Sequence, residues 1–305
     1  GSTTRDEDFL SQMFSATMHN TMLFFTEMGR CYWLKVYEIP EGTRTSKGRA
    51  IQNIINLEPG DSVKAYINVE SLKDENYIHS NFIVLATKKG VIKKTSLEAY
   101  SRPRQNGIIA KNIKENDSLL EALMTNGNHE ILIAVKSGKA IRFHEKTVRA
   151  IGRTGSGVKG VTLSGTKDEV IGMVSMGDHS QDILVVSEKG YGKRSSVEDY
   201  RITNRGGKGV KTINITEKTG KLIGFKSVND NDDLMIITKN GTAIRLPIEV
   251  LRVMGRATQG VRLINLREGD EIGALTRVPS SANLEEEITG DSAEKNNEDT
   301  PEPGE

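Results

Sequence analysis

A single cysteine, Cys31, in 305 residues leaves no partner for an internal disulfide, so the chain suits a reducing, cytoplasmic setting. Aromatic residues make up only 5%, with one tryptophan, Trp33. A protein that stacked single-stranded bases would carry more of them beside its basic residues. No apolar run approaches the roughly 20 residues needed to span a bilayer, and the Arg5-Asp6-Glu7-Asp8 stretch excludes an apolar signal peptide there. No membrane contact is expected. The five histidines (His19, His79, His129, His144, His179) are scattered and lack the Cys or carboxylate pairing of a metal site. There is no G-x-x-x-x-G-K-S/T phosphate loop. Gly155-Ser156-Gly157-Val158-Lys159-Gly160 fits G-x-G-x-x-G, but the same Gly-Val-basic element recurs at Gly209 and Gly260, which makes it a repeat turn. The sequence therefore points to no catalytic centre, no metal and no cofactor.

What is present is charge in an uneven distribution. The net charge is +1, yet residues 284–305 hold nine Asp or Glu against one lysine, Lys295. Removing that −8 leaves +9 on residues 1–283, with 41 basic and 32 acidic side chains. A basic body with an acidic Pro- and Gly-containing tail suggests a polyanion binder whose tail competes for the same surface. The other reading is a disordered solubiliser.

A repeat organises the body. Glycines 29, 90, 138, 190 and 241 lie 61, 48, 52 and 51 residues apart, and each follows an apolar run such as Ile183-Leu184-Val185-Val186. Such runs ending in a polar-Gly pair, Asn240-Gly241 most clearly, read as a buried strand entering a hairpin. After each anchor the chain turns basic: Lys35, Lys93-Lys94, Arg142, Lys193-Arg194 and Arg245. Ten residues past the anchor an apolar position returns (Ile39, Tyr100, Val148, Tyr200, Leu251), which makes Tyr100 and Tyr200 core residues rather than nucleophiles.

A second glycine follows at 48, 107, 157, 209 and 260 in basic surroundings, and each unit closes with another short strand such as Glu271-Ile272-Gly273-Ala274. Units of about 50 residues with about four strands fit a radial propeller, because each must bury an apolar face against its neighbours. Six closing strands, beginning at Phe9-Leu10, against five hairpins predict five complete units and an incomplete first blade whose hairpin lies upstream.

The most specific stretch is Asn204-Arg205-Gly206-Gly207-Lys208-Gly209-Val210-Lys211. Glycines allow close backbone approach and expose amides, while Arg and Lys supply charge for phosphate oxygens, so the stretch is a candidate anion clamp, the other reading being a glycine-rich blade turn with solvated lysines. Arg205 to Gly209 resembles the core of the Q-R-R-G-G-K-G signature of the C-terminal domains of DNA gyrase A subunits. Gly190-Tyr191-Gly192-Lys193-Arg194, Val253 to Val261 and Val36 to Pro40 extend the resemblance across residues 5 to 278. Thr203-Asn204 stand where that signature has Gln-Arg, and the element falls in the fourth anchored repeat rather than the first blade.

The resemblance implies an all-β, six-bladed β-pinwheel over residues 1–283, a propeller with strands exchanged between blades, followed by an acidic tail at 284–305. It further implies sequence-nonspecific wrapping of double-stranded DNA around a basic perimeter in the nucleoid, with the N-terminal cleavage core of the same polypeptide and an ATPase B subunit as partners. The expected DNA-binding rim is Lys93, Lys94, Arg142, Lys193, Arg194, Arg205, Gly206, Gly207, Lys208, Gly209, Lys211, Arg245, Arg256 and Arg262. Two alternatives stay open: the equivalent, weakly wrapping domain of topoisomerase IV, and a propeller that binds other proteins.

Overall fold

The five anchor glycines reverse the chain through left-handed backbone, with φ between +86° at Gly241 and +89° at Gly90 and Gly138. Glycine alone enters that region without steric cost. In the computed structural model, which describes residues 12, 16–43 and 46–279, each anchor closes a hairpin. The first joins β1 (Thr21–Thr26) to β2 (Arg30–Lys35), and β3 (Val63–Val69) follows. The short helix α1 (Glu75–Ser80) leads into the second, β4 (Phe82–Thr87) and β5 (Val91–Ser96), with β6 (Ile108–Ile109) and β7 (Leu119–Thr125) after it. The third repeat supplies β8 (Glu130–Val135), β9 (Lys139–His144), β10 (Val158–Lys159) and β11 (Val170–Met176). The fourth supplies β12 (Asp182–Ser187), β13 (Tyr191–Ser196), β14 (Val210–Lys211) and β15 (Leu222–Val228). The fifth supplies β16 (Asp232–Thr238), β17 (Ala243–Pro247), β18 (Val261–Arg262) and β19 (Ile272–Pro279).

The long strand closing each repeat pairs with its own hairpin, whereas the two-residue strand pairs with the hairpin before it. The blades are therefore β3-β1-β2-β6, β7-β4-β5-β10, β11-β8-β9-β14 and β15-β12-β13-β18, each completed by the following repeat. This exchange is the β-pinwheel arrangement. The fifth blade, β19-β16-β17, has three strands, and no strand among the described residues lies on β17. Five blades stand in a propeller-like order, as the repeat count required. The incomplete first blade expected at Phe9-Leu10 and the acidic tail at 284–305 lie outside the described residues.

Packing explains the apolar runs. Closing strands β3, β7, β11, β15 and β19 neighbour one another in chain order, and a hydrophobic cluster fills each junction between blades. Tyr100 and Tyr200, at the ends of such clusters, are fully buried. Strands β4, β8 and β12 are buried on both faces, so they read as continuous hydrophobic stretches instead of alternating ones. On the fifth blade β16 alternates buried and half-buried positions, because only one of its faces meets a neighbouring blade. Ile51, Ile55 and Leu57 cover the outer face of the first blade, packing near Met22, Phe24 and Tyr32. Among the described residues no helix is long and apolar enough to cross a membrane.

Candidate nucleic-acid interface

The outer edge of each complete blade is a segment borrowed from the next repeat, and 201–211 shows how it is held. Ile202 makes a parallel bridge with Arg142 on β9, where the Thr203 amide donates to the Arg142 carbonyl at 2.9 Å. The chain loops out through 204–208 and returns as β14, antiparallel to Lys139 and Ala140. The return depends on Gly209, whose φ is +74° and whose Cβ, were there one, would sit 2.4 Å from the Ala140 carbonyl oxygen. Segments 149–159 and 252–262 repeat the pattern on β5 and β13, and 101–109 covers β2.

These four segments carry Arg102, Arg104, Arg149, Arg153, Lys159, Arg201, Arg205, Lys208, Lys211, Arg252, Arg256 and Arg262, with no Asp or Glu. Every blade edge with an exchanged strand is thus purely cationic. Arg153, Arg205 and Arg256 occupy one repeat position, half-buried, and each donates to the carbonyl of the last residue in the preceding short strand: Ile109 at 2.7 Å, Lys159 at 3.1 Å and Lys211. They tie successive edges together while adding charge. Arg262 is exposed, donates to the Tyr191 hydroxyl at 3.0 Å and stacks over that ring. Lys208 and Lys211 are exposed, with side chains free of hydrogen bonds or ion pairs within the described residues.

The glycine-rich element works differently from an amide clamp. The Gly206 amide donates to the Gly160 carbonyl at 2.7 Å, while Thr162 donates its hydroxyl to Gly206 O at 2.6 Å and its amide to Gly207 O at 2.9 Å. Gly206 and Gly207 thereby dock the loop on the preceding repeat. Lys208 and Lys211 supply its outward-facing charge.

Five residues expected on the rim lie inside the protein instead. Lys93, Lys94, Arg142, Lys193 and Arg194 are between 0% and 8% exposed. They stand three or four residues past the anchor on β5, β9 and β13, beneath the edge segment of the next repeat. The Lys193 ammonium donates to the carbonyls of Gly255 (2.8 Å), Thr258 (2.9 Å) and Arg256, and Lys93 donates to Ala110 O at 2.6 Å and to Arg153 O. Arg142 reaches Val197 O and Tyr200 O, Arg194 reaches Leu251 O, and Lys94 reaches Glu145 O. Buried cations persist only where such partners replace water. Burial beside Lys111 and Arg153 brings the Lys93 pKa down to about 7, and burial beside Arg256 brings Lys193 to about 8. Arg245 is exposed but sits on the open β17 edge, paired with Asp233 at 2.6 Å.

Sequence reasoning missed Arg149, Arg201 and Arg252. All three are exposed, lack partners among the described residues, and fall eleven residues past their anchors. That constant spacing was the available signal.

Comparison with known proteins agrees with this architecture. The model of a family described as DNA gyrase C-terminal domain, beta-propeller, matches residues 20–66, 81–126, 129–175, 181–229 and 232–279, one match per blade. The A subunit of DNA gyrase from Staphylococcus aureus (strain MRSA252) is 44% identical over 94% of this chain, and that from Chlamydia pneumoniae 41% identical over 94%. The chain spans about a third of those relatives, 32% and 34% of their lengths. Among solved structures, the C-terminal domain of a DNA topoisomerase IV superposes with a TM-score of 0.80 at 20% identity, covering 91% of this chain and 85% of its own. A DNA gyrase A C-terminal domain gives 0.72 at 21% identity, covering 86% and 84%. These likenesses speak for the fold. With its model matched blade by blade, the chain belongs to the DNA gyrase C-terminal domain family of β-propellers.

Proposed function

We propose that the four edge segments bind the phosphate backbone of duplex DNA and hold it in a curve around the blades, without reading sequence. One observation carries this reading: each complete blade presents a cationic edge free of acidic residues, mounted on backbone tied to two repeats. Curving a site of 20 to 30 base pairs costs on the order of 1 to 6 kcal/mol, so many separate phosphate contacts must offset it. Edges repeated blade after blade supply them, and each neutralised phosphate releases counterions independently of the bases. In the longer protein, beside a cleavage core and an ATPase partner, such a wrap would present a DNA segment in a fixed hand for ATP-driven supercoiling in the nucleoid. The relatives at 41 to 44% identity, both gyrase A subunits, favour that reading over a decatenating one.

Anisotropy titrations of a labelled duplex across a salt series test the proposal. If about 8 phosphates are neutralised, log K falls against log salt with a slope of roughly −7. An absence of duplex binding at low salt would return the fold to the class of protein-interaction propellers. Writhe induced in relaxed plasmid separates wrapping from simple binding. The acidic tail at 284–305 competes for the same edges in this scheme, so its deletion tightens binding. Unchanged affinity makes it a solubiliser.

A further inference from the structure

Ile202 and Val253 are 57% and 54% exposed, the most exposed large apolar side chains on the described edge segments, which also carry Ile109 at 41% and Val261 at 46%. Single exposed apolar residues are ordinary on protein surfaces. These two share more than exposure. Both lie twelve residues past their anchor glycines, and each directly follows an exposed arginine, Arg201 or Arg252, with no partner among the described residues.

Their backbone is fixed at the same place in two blades. Ile202 bridges Arg142, and Val253 bridges Arg194. The next amide in each case donates to that arginine's carbonyl, Thr203 at 2.9 Å and Met254 at 2.8 Å. The guanidinium groups of Arg142 and Arg194 are each held between a carboxylate, Glu130 or Asp182, and a carbonyl of the next repeat, so the two apolar groups stand on rigid mounts. β-branched residues have few χ1 states to lose on contact, which suits them to press into a partner. In the second blade the equivalent residue is Ala150, too small to project.

We propose that Ile202 and Val253 are apolar wedges that enter the minor groove where the duplex crosses the third and fourth blades, sharpening its bend. The inference rests on the DNA-binding reading above. Arginines 201 and 252 engage the flanking phosphates, and the apolar tips meet deoxyribose and base edges, partly unstacking one step in each crossing. Pyrimidine–purine steps unstack most easily, so the duplex settles with a TA or CA step over each wedge even though no base is hydrogen-bonded. A backbone binder thereby acquires a preferred register.

The test is the double variant Ile202→Ser with Val253→Ser in the 305-residue chain, exposed positions whose loss leaves thermal unfolding unchanged. Duplexes of about 30 base pairs carrying a fluorophore at each end, with or without centrally phased TA steps, report the bend by energy transfer. The expected result is a salt slope equal to that of the parent, a smaller bend, and loss of a roughly tenfold preference for the TA-containing duplex. A double variant that bends both duplexes as the parent does overturns the wedge, as does a parent without preference between them. Failure of the parent chain to bind either duplex at low salt would sink the DNA reading itself.

Discussion

The guanidinium of Arg142 donates a hydrogen bond to the carbonyl oxygen of Tyr200 at 2.7 Å, joining the third blade to the edge segment of the fourth repeat. Its other nitrogen holds Glu130 at 2.7 Å, and the side chain is 3% exposed. The same position is Trp33 in the first repeat, whose indole donates to Tyr100 O at 2.9 Å, and Arg194 in the fourth, which donates to Leu251 O at 2.7 Å. A donor of any chemistry serves there, so long as it spans the junction.

Replacing Arg142 by alanine takes this donor from the Val197 and Tyr200 carbonyls and leaves Glu130 with His179 alone. Removing one member of a buried pair costs about 3 to 5 kcal/mol. Urea unfolding of Arg142→Ala is expected to show a loss in this range, while the salt slope of DNA binding by the folded fraction stays at the parental value. A shallower slope would mean that Arg142 meets phosphate directly.

Arg149, Arg201 and Arg252 behave in the opposite way. Exposed and without partners among the described residues, they add little to stability, so the triple glutamine variant unfolds as the parent does. Its salt slope is expected to be less steep by about 2.7, at roughly 0.9 for each phosphate no longer neutralised. An unchanged slope removes these residues from the interface.

Gly209→Ala places a Cβ against the Ala140 carbonyl at a left-handed φ. The backbone term alone is about 1 to 2 kcal/mol, before the clash. Amide hydrogen exchange is expected to show weakened protection along β14 and the facing residues of β9, with protection along β12 and β15 retained. Intact protection at β14 would mean that the loop has another way to return.

Two opposite pH dependences are built in. Burial raises the Glu121 pKa to about 7, partly offset by Lys226. Between the ordinary carboxylate range and pH 7 the folded state holds the extra proton, so this group's contribution to stability falls as pH rises through that window. Lys93 and Lys193 are lowered to about 7 and about 8, so above those values the unfolded chain binds more protons and stability rises with pH up to the ordinary lysine range. Denaturant unfolding against pH is expected to dip near neutrality. Glu121→Gln flattens the acid limb and Lys93→Met the alkaline one, and a variant that leaves its limb unchanged refutes that assignment.

The repeat was legible because its constraints are local. A left-handed turn glycine, a run of apolar residues before it and an apolar residue ten positions later recur at fixed offsets, and each follows from the geometry of one hairpin and its core. The second glycines were legible for the same reason, with Gly209 and Gly260 needed where the chain passes close to a neighbouring carbonyl. The cations three or four residues past the second, third and fourth anchors misled, since a basic residue after a turn ordinarily faces water.

Sequence alone determined the number of hairpins, their register, the buried tyrosines and the basic character of the loops around the second glycines. Only the tertiary structure decided which cations face outward. Each edge segment lies on the blade before its own, burying Lys93, Lys193 and Arg142 beneath it and leaving Arg149, Arg201 and Arg252 in solvent. The physical reason is that backbone carbonyls arriving from another repeat supply what water would otherwise have to supply to a buried charge, and no pattern within one repeat records their arrival.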